Sequence, residues 1–348
     1  MSSEHTACNL SRKKTLKVCS WNIHGYKSRQ IGIKLIGREF LNIMEDVDLL
    51  GLTETHIHEE TLEDLNIPGF IRMGFKNNEK NIKSGTAPGG IAVFVKEHIE
   101  QFFSVIKTEN QDCIWLKLKK DLSGEENDIY IGTYYISPSK GKDYLDKNQN
   151  LSEDIMYFQQ RGQVIINGDF NAETGNEIDY IIPDKYDHCF VTNYTENMRK
   201  RNSQDKSIDE RGKAILEMCR GLDLTIINGR RTGDIFGKFT CFQWNGNSVV
   251  DYVITSGQIS QKIPNFWVGE FIPWLSDHCP LNFTLELKNT EMNRPNISNR
   301  MEDAPAHFIW SNKSMTDFTN HLTRLTACNK LTESRHNTFR NQIKWSQP

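Results

Sequence analysis

The sequence lacks paired cysteines. No C-x-x-C pair occurs, and the cysteines stand singly at positions 8, 19, 113, 189, 219, 241, 279 and 328. Because zinc sites and disulfide scaffolds use closely spaced cysteines, this scatter indicates reduced thiols in an intracellular protein, nuclear or cytoplasmic. The sequence also has no run of about 18 apolar residues, which a membrane-spanning helix needs, and no apolar signal region near its start. These absences argue against secretion and against a membrane partner.

A strong charge of either sign is missing as well. With 42 Lys and Arg against 45 Asp and Glu, the formal net charge is −3, so no field over the whole surface attracts nucleic acid. Local basic clusters remain at 199–206 and at Arg230 and Arg231. These clusters are either solvated or position phosphates. The chain has no internal period of roughly 20–50 residues, which excludes a repeat array.

Apolar patterning predicts alternating strands and helices. We expect strands at 16–23, 48–54, 89–96, 112–120, 128–137, 164–172, 223–229, 238–244, 248–256 and 281–287. Helices are expected at 33–47, 145–161 and 209–221, the last with Asp209 as its N-cap. Several strands follow one another as hairpins, which favours mixed sheets covered by helices in an α/β fold. Trp21, Trp115 and Trp244 are expected in the core, whereas Trp274 beside Pro273 is expected at a rim, where it could stack on a base.

Composition changes at both ends of the chain. Residues 1–15 are polar and are expected to form a flexible leader, while 16–287 hold the predicted strands. Residues 288–348 are polar and resemble a linker, with a short amphipathic helix expected at 308–325. The predicted organisation is therefore one large domain with a tail.

One strand end carries polar groups of particular interest. Three apolar residues precede Gly168, which is expected to let the backbone turn so that Asp169 and Asn171 project from the strand end. A carboxylate there can take a proton from water or hold a cation, and the neighbouring amide can donate to a phosphoryl oxygen. The alternative is a turn in which both side chains satisfy their own backbone.

Polar residues recur at the ends of the other predicted strands. The set comprises Asn22, Glu54, Tyr135, Asp169, Asn171, Asp251, Asp277 and His278. Phosphodiester hydrolysis needs such a set, because oxygen ligands hold Mg²⁺, a base aims the water and neutral donors bind the phosphate oxygens. Each residue also has a purely structural interpretation, as a helix cap, a turn residue or a hydrogen-bonded residue of the core.

Five short motifs occur in a fixed order: WNIHG (21–25), LTETH (52–56), INGDFN (166–171), VVDYVI (249–254) and SDHCP (276–280). In this order they resemble the endonuclease/exonuclease/phosphatase superfamily, which includes AP endonucleases and deoxyribonuclease I. The resemblance covers 16–287 and implies a four-layer sandwich, in which two mixed β-sheets are flanked by helices. Other stretches, such as GKAILEMCRGLDLTIINGR, are most similar to the endonuclease domain of LINE-type non-LTR retrotransposon proteins. The region around 307–318 is similar to the connector that such proteins place before their reverse transcriptase.

The resemblance also implies roles for the residues of the motifs. Glu54 would be the main metal ligand, near Asn22, with Asp277 or Asp251 helping. The expected ion is Mg²⁺, for which Mn²⁺ can substitute. His24 stands where AP endonucleases carry an Asp, so it is expected to be a structural or rim residue.

The remaining motif residues would act on the phosphate and on water. Asp169 would orient or deprotonate the water, and Asn171 with Asn22 would bind the scissile phosphate. His278, held by Asp251, would contact that phosphate. Tyr135 would donate to a phosphate oxygen, although Tyr134 is a rival by register.

The function implied is a Mg²⁺-dependent endonuclease that nicks DNA and leaves a 3′-hydroxyl, as in non-LTR retrotransposition. Its expected partners are DNA and a reverse transcriptase of the same element, and a DNA substrate would place it in the nucleus. The alternatives are abasic-site repair, hydrolysis of another phosphoester, and a catalytically inactive binding protein.

Overall fold

Strands alternate with a few short helices in the computed structural model, which describes residues 14–77, 88–138, 142–181 and 200–288. These ranges lie within one compact unit, Met1–Thr290. Most of the predicted leader and the predicted helix at 308–325 lie outside the described residues. The domain boundaries therefore stay predictions.

The bounds of the elements are as follows. The strands are β1 (Lys14–Asn22), β2 (Lys27–Ser28), β3 (Gly32–Ile33), β4 (Leu49–Thr53), β5 (Phe70–Lys76), β6 (Ile91–Lys96), β7 (Phe103–Ile106), β8 (Cys113–Leu118), β9 (Asp128–Tyr135), β10 (Gly162–Asp169), β11 (Leu224–Ile226), β12 (Cys241–Gln243), β13 (Gly246–Ser248), β14 (Asp251–Ser256), β15 (Asn265–Val268) and β16 (Leu281–Leu287). The α-helices are α1 (Arg38–Met44), α2 (Lys120–Ser123), α3 (Lys142–Gln159), α4 (Glu210–Gly221) and α5 (Gly257–Ser260), and 3₁₀ helices span Lys34–Ile36, Glu59–Asp64 and Glu97–Phe102.

Two large sheets, each mixed, form the centre of the fold. The first has the strand order β15-β16-β1-β4-β6-β5, and the second has the order β11-β14-β10-β9-β8-β7. In the first sheet β1 and β4 are parallel, and in the second β9 and β10 are parallel, while the neighbouring pairs are antiparallel. The prediction of two mixed sheets in an α/β fold is confirmed.

Three apolar clusters define four layers. One cluster combines residues of both sheets, for example Val18 and Phe283 with Ile131 and Ile165, and therefore lies between them. A second cluster packs α3 and α4 on the outer face of the second sheet, and a third packs α1 on the outer face of the first. This arrangement buries apolar side chains on both faces of each sheet, which is the main source of stability.

The two sheets approach each other closely at Gly51 in β4. A Cβ atom on Gly51 would lie 2.5 Å from Thr133 Oγ1 and 3.1 Å from Asn167 Oδ1, both on the opposite sheet. Because a contact of 2.5 Å is closer than non-bonded carbon and oxygen atoms allow, glycine is required there if the present sheet spacing is to be kept.

Several predicted elements differ from the structure. The helix expected at 33–47 is interrupted at Gly37, whose backbone is extended, and only α1 and the preceding 3₁₀ turn form. Strands β5, β7 and β15 were not predicted. β5 and β7 are edge strands whose residues are mostly half-buried or exposed, so they lack the alternation on which a strand prediction depends. Among the described helices, none is long and apolar enough to cross a membrane.

Candidate active site

The ends of strands from both sheets meet at one edge of the sandwich. In the second sheet Asp169, the last residue of β10, pairs with Tyr135 on one side and with Asp251 on the other. In the first sheet Asn22 ends β1 opposite Thr53, so Glu54 follows at the same edge. β14 is antiparallel to β10, which is why its first residue, and not its last, reaches this edge.

Asp169 is the centre of a hydrogen-bond network. Its carboxylate accepts from Asn22 Nδ2 at 2.9 Å, from the backbone N–H of Asn171 at 2.9 Å and from Asn171 Nδ2 at 3.1 Å. Burial raises the pKa of Asp169, and the nearby charge of Asp251 raises it further. Asn171 Nδ2 also donates to the carbonyl of Ile136. In this structure Asn171 therefore holds Asp169 in place.

A local backbone feature sets the position of Asp169. Gly168 has a φ of 142°, and a Cβ atom there would lie 1.9 Å from the carbonyl oxygen of Tyr134 on the neighbouring strand. The sequence singled out this glycine as a turn at the strand end. It lies instead within β10, where only a residue without a side chain allows the two strands to approach so closely.

His278 is buried and paired with Asp251. Its Nδ1 lies 2.8 Å from Asp251 Oδ2, and its Nε2 lies 3.5 Å from Asn22 Nδ2. Burial alone lowers the pKa of His278, but the charge and hydrogen bond of Asp251 outweigh it and hold the pKa well above its usual value. The main chain is fixed as well, because Trp21 Nε1 donates to the carbonyl of His278 and Ser276 Oγ accepts from its N–H.

Glu54 lies among three possible donors. The Tyr135 hydroxyl donates to Oε1 at 3.1 Å, while His56 Nε2 and His24 Nδ1 lie 3.5 Å and 3.9 Å from Oε2. Burial raises the pKa of Glu54, but hydrogen bonds from His56 and Asn22 overcome this effect and leave it below its ordinary value. The carboxylate is therefore ionised and partly accessible, as a cation ligand must be.

Asp277 and His24 form the exposed side of the site. His24 Nδ1 lies 3.0 Å from Asp277 Oδ1, and more than half of the His24 side chain is exposed. The hydrogen bond to Asp277 raises the pKa of His24. Burial acts to raise the pKa of Asp277, but the hydrogen bond from His24 and the charge of His278 lower it to about 2. His24 thus occupies the rim, as predicted.

Strained backbone is concentrated at this edge. Apart from glycines, the described residues with positive φ are His24 (46°), Glu54 (49°), His56 (53°), Asn171 (46°) and Asp223 (51°). All but the last lie in the cluster just described. Such conformations cost free energy and are kept where the surroundings fix them, so they are a structural signal of a functional site.

All eight residues selected from the sequence come together here. They are Asn22, Glu54, Tyr135, Asp169, Asn171, Asp251, Asp277 and His278. Tyr135 contacts Glu54, whereas its rival Tyr134 is fully buried against Phe170, away from Glu54. The sequence pattern did not single out His56, although it stands in the LTETH motif two residues after Glu54, nor did it single out Cys241.

Three expectations about other residues were wrong. Trp244 is 98% exposed in the turn between β12 and β13 instead of lying in the core. Arg230, expected to be solvated or to contact phosphate, is buried and donates to both oxygens of Asp179 at 2.5–2.6 Å. Arg201 is also buried and donates to the carbonyls of the 174–177 loop. Local sequence could not reveal the acceptors of either arginine.

The site has the ligand types that a divalent cation needs. Asp169, Asp251 and His278 each offer a ligand atom within 4.8 Å of the others, as do Cys241, Asp277 and His278. The carboxylates of Glu54 and Asp277 both contact His24, whose Nδ1 lies 3.9 Å from Glu54 Oε2 and 3.0 Å from Asp277 Oδ1. This edge of the sandwich can therefore hold a cation beside a buried carboxylate and a buried imidazole.

A sequence model described as the Endonuclease/Exonuclease/phosphatase family matches residues 19–278. The chain belongs to this family. The match covers most of the chain and includes every residue of the cluster. The predicted superfamily is thereby confirmed, as is the prediction of a hydrolytic enzyme of the nuclease type. A search of the curated proteins found no match.

Solved structures with the same fold are similar to this family member at low identity. The AP endonuclease LMAP from Leishmania major has a TM-score of 0.53 and 14% identity, covering 79% of this chain and 88% of its own. The catalytic domain of APE2 from Xenopus laevis has a TM-score of 0.53 and 17% identity, covering 79% and 94%. The endonuclease domain of TRAS1, a telomere-specific non-LTR retrotransposon, has a TM-score of 0.48 and 18% identity, covering 79% and 99%. At these identities the likeness to the first two establishes the fold.

Proposed function

We propose that this chain is a Mg²⁺-dependent endonuclease that nicks DNA and leaves a 3′-hydroxyl, as in non-LTR retrotransposition. The observation that carries the proposal is the hydrogen-bonded cluster of Asn22, Asp169, Asp251 and His278 beside the Glu54 carboxylate. The retrotransposon context is supported by the sequence resemblance. A reverse transcriptase of the same element is the proposed partner, and the nucleus is the proposed compartment.

The donor set at the exposed side of the site fits Mg²⁺. This ion takes oxygen ligands and keeps several waters, so one or two protein carboxylates suffice. Glu54 and Asp277 would hold it, with the amide oxygen of Asn22 nearby, although that oxygen already accepts from the N–H of His24. Bound there, Mg²⁺ would neutralise charge on the phosphate and on the leaving oxygen.

The protein groups have separate tasks in hydrolysis. Asp169 would accept a proton from the water as its oxygen bonds to phosphorus, while the bond from phosphorus to the 3′-oxygen breaks and that oxygen takes a proton from solvent. Protonated His278 would donate to a non-bridging oxygen, where negative charge develops. Asn22 and Asn171 would hold the Asp169 carboxylate in the orientation needed to accept the proton of the water, since both amides donate to it. Tyr135 would have to turn from Glu54 to reach a phosphate oxygen.

A groove beside the site supports a nucleic-acid substrate. It has a volume of about 540 Å³ and is lined by His24 and Asp277 together with Lys27, Arg29 and Trp274. Basic side chains attract a phosphate backbone, and an exposed indole can stack on a base. Trp274 is 50% exposed, as the prediction of a rim aromatic requires.

Plasmid nicking tests the proposal directly. Supercoiled plasmid should be converted to open circles with Mg²⁺ and left intact with EDTA. Glu54→Gln and His278→Ala should each reduce nicking by at least ~10²-fold, the scale for one electrostatic or acid–base group. Glu217→Gln and His98→Ala, which change exposed residues elsewhere, are the matched controls. Undiminished nicking in both site variants would reject this site.

The products and the substrate preference distinguish the alternatives. A DNA polymerase should extend the nicked ends without prior phosphatase treatment, which shows a free 3′-hydroxyl. A duplex with one tetrahydrofuran site, compared with intact DNA, separates abasic-site repair from target nicking. Cleavage confined to the tetrahydrofuran site would contradict the proposed retrotransposon function.

A further inference from the structure

A thiol lies next to the proposed catalytic imidazole. Cys241, the first residue of β12, forms an isolated antiparallel bridge with His278. On either side of this bridge, the N–H of Phe242 donates to the carbonyl of Asp277 and the N–H of Cys279 donates to the carbonyl of Thr240. These main-chain bonds fix Cys241 beside His278.

The side chains at this bridge are close enough to share an ion. The Cys241 sulfur, a carboxylate oxygen of Asp277 and a ring nitrogen of His278 all lie within 4.8 Å of one another. Around tetrahedral Zn²⁺, with bonds of about 2.3 Å to sulfur and 2.0–2.1 Å to nitrogen or oxygen, ligand atoms lie roughly 3.3–3.8 Å apart. Each distance between two of these ligand atoms would therefore have to shorten by at most about 1.5 Å for all three to bind one Zn²⁺ ion.

The cluster has an open side. Cys241 and His278 are buried, whereas about a quarter of the Asp277 side chain is exposed and lines the groove described above. An ion could enter past Asp277 and keep water as its fourth ligand, since three protein ligands leave one tetrahedral position free.

We propose that Cys241, Asp277 and His278 form a second cation site, which binds a thiophilic divalent ion such as Zn²⁺ or Cd²⁺. The ligand chemistry separates this site from the pair of carboxylates Glu54 and Asp277, because thiolate sulfur favours Zn²⁺ and Cd²⁺, whereas Mg²⁺ takes oxygen ligands. On binding, the thiol of Cys241 and the ring nitrogen of His278 that faces the ion each lose a proton to solvent, and the sulfur and that nitrogen become ligands.

Occupation of this site would inhibit the enzyme. The ion would take His278 away from the phosphate and Asp277 away from Mg²⁺. This consequence, unlike the site itself, rests on the proposed function. A test that detects the bound ion directly therefore separates failure of this inference from failure of the proposed function.

Cadmium titration of the reduced full-length chain provides that test. One equivalent of Cd²⁺ should produce the ultraviolet charge-transfer band of a thiolate–cadmium bond, and Zn²⁺ should compete for the site. Cys241→Ser should remove the band and weaken Zn²⁺ binding at least ~10-fold, the lower end of the effect of disturbing a metal site. Cys279→Ser is the matched control, because this neighbouring cysteine is equally buried and should leave the band intact.

Asp277→Asn provides a second variant, which keeps the size of the side chain at a partly exposed position. It should keep the thiolate band and weaken Zn²⁺ binding at least ~10-fold. The inference is overturned if Cys241→Ser keeps the band, if Cys279→Ser alone removes it, or if the wild type shows none at one equivalent. Where nicking is measurable, micromolar Zn²⁺ should inhibit the wild type more strongly than Cys241→Ser.

Discussion

The Nδ1 atom of His278 lies 2.8 Å from Oδ2 of Asp251, and both side chains are buried. Asp251 begins β14 opposite Asp169, so one main-chain register places the partner of the imidazole and the proposed base side by side. The protonated form of His278 is thereby favoured where a phosphate would bind.

The first prediction concerns this pair and pH. Asp251→Asn should lower the pKa of His278, because the charge and hydrogen bond of Asp251 hold it well above its usual value. The imidazolium then loses its proton at lower pH, so the decline of nicking on the alkaline side should move to lower pH. A pH–rate profile and an NMR titration of His278 measure the shift. Asp121→Asn, at an exposed residue, is the control, and an unmoved alkaline decline in Asp251→Asn would contradict the proposed role.

The second prediction concerns Lys34, a buried residue beneath the rim. Its ammonium group donates to the carbonyls of Ile23, His24 and Leu275, yet burial lowers its pKa from 10.5 to about 8. Between these two values the unfolded chain binds a proton that the folded chain does not, so this group adds stability as pH rises through that window.

Urea unfolding at several pH values between 7 and 10.5 tests this linkage. The free energy of unfolding of the wild type should rise relative to that of Lys34→Met across the window. Lys120→Met, at an exposed residue, should follow the wild type. Parallel curves for the wild type and Lys34→Met would show that Lys34 keeps its ordinary pKa in the folded protein.

The third prediction concerns the buried ion pair of Arg230 and Asp179. Asp179 accepts from both Nη atoms of Arg230 and from the N–H of Ile226. Asp179→Ala should lower the free energy of unfolding by about 3–5 kcal/mol, because an uncompensated buried charge remains. The double variant Asp179→Leu with Arg230→Met should recover most of the loss in the same urea experiment. Equal losses in both variants would show that packing, and not charge, is responsible.

The fourth prediction concerns the exposed indole in the groove. Trp274→Ala should weaken DNA binding by about 1–3 kcal/mol, the value of one base–aromatic stack, and should raise KM more than it lowers kcat. Trp267→Ala is the matched control, because Trp267 is partly exposed on β15 and lines a different cavity. Fluorescence anisotropy with a short labelled duplex measures the affinity, and equal effects of the two substitutions would argue against stacking at Trp274.

The sequence predicts those parts of the site that depend on local pattern. Asn22, Glu54 and Asp169 each follow a buried apolar strand, so the motif and the strand end are visible together. The pair of His24 and Asp277 is not visible, because its two members are more than 250 residues apart and meet only when β1 pairs with β16. The burial of Arg230 could not be predicted for the same reason. Its partner Asp179, whose carboxylate allows the arginine to be buried, is distant in sequence. The prediction for Trp244 was wrong because the sequence of a short strand does not show whether an apolar residue at its end enters the core or lies in an exposed hairpin turn.

Glycine at position 51 has a consequence for the proposed active site. Glu54 follows a strand of one sheet and Asp169 ends a strand of the other, so the spacing between the sheets also sets the width of the proposed reaction centre. A methyl group at position 51 would clash with Thr133 and increase the distance between the two sheets. The hydrogen atom that Gly51 has in place of a side chain thus sets the distance between the proposed cation ligand Glu54 and the proposed base Asp169.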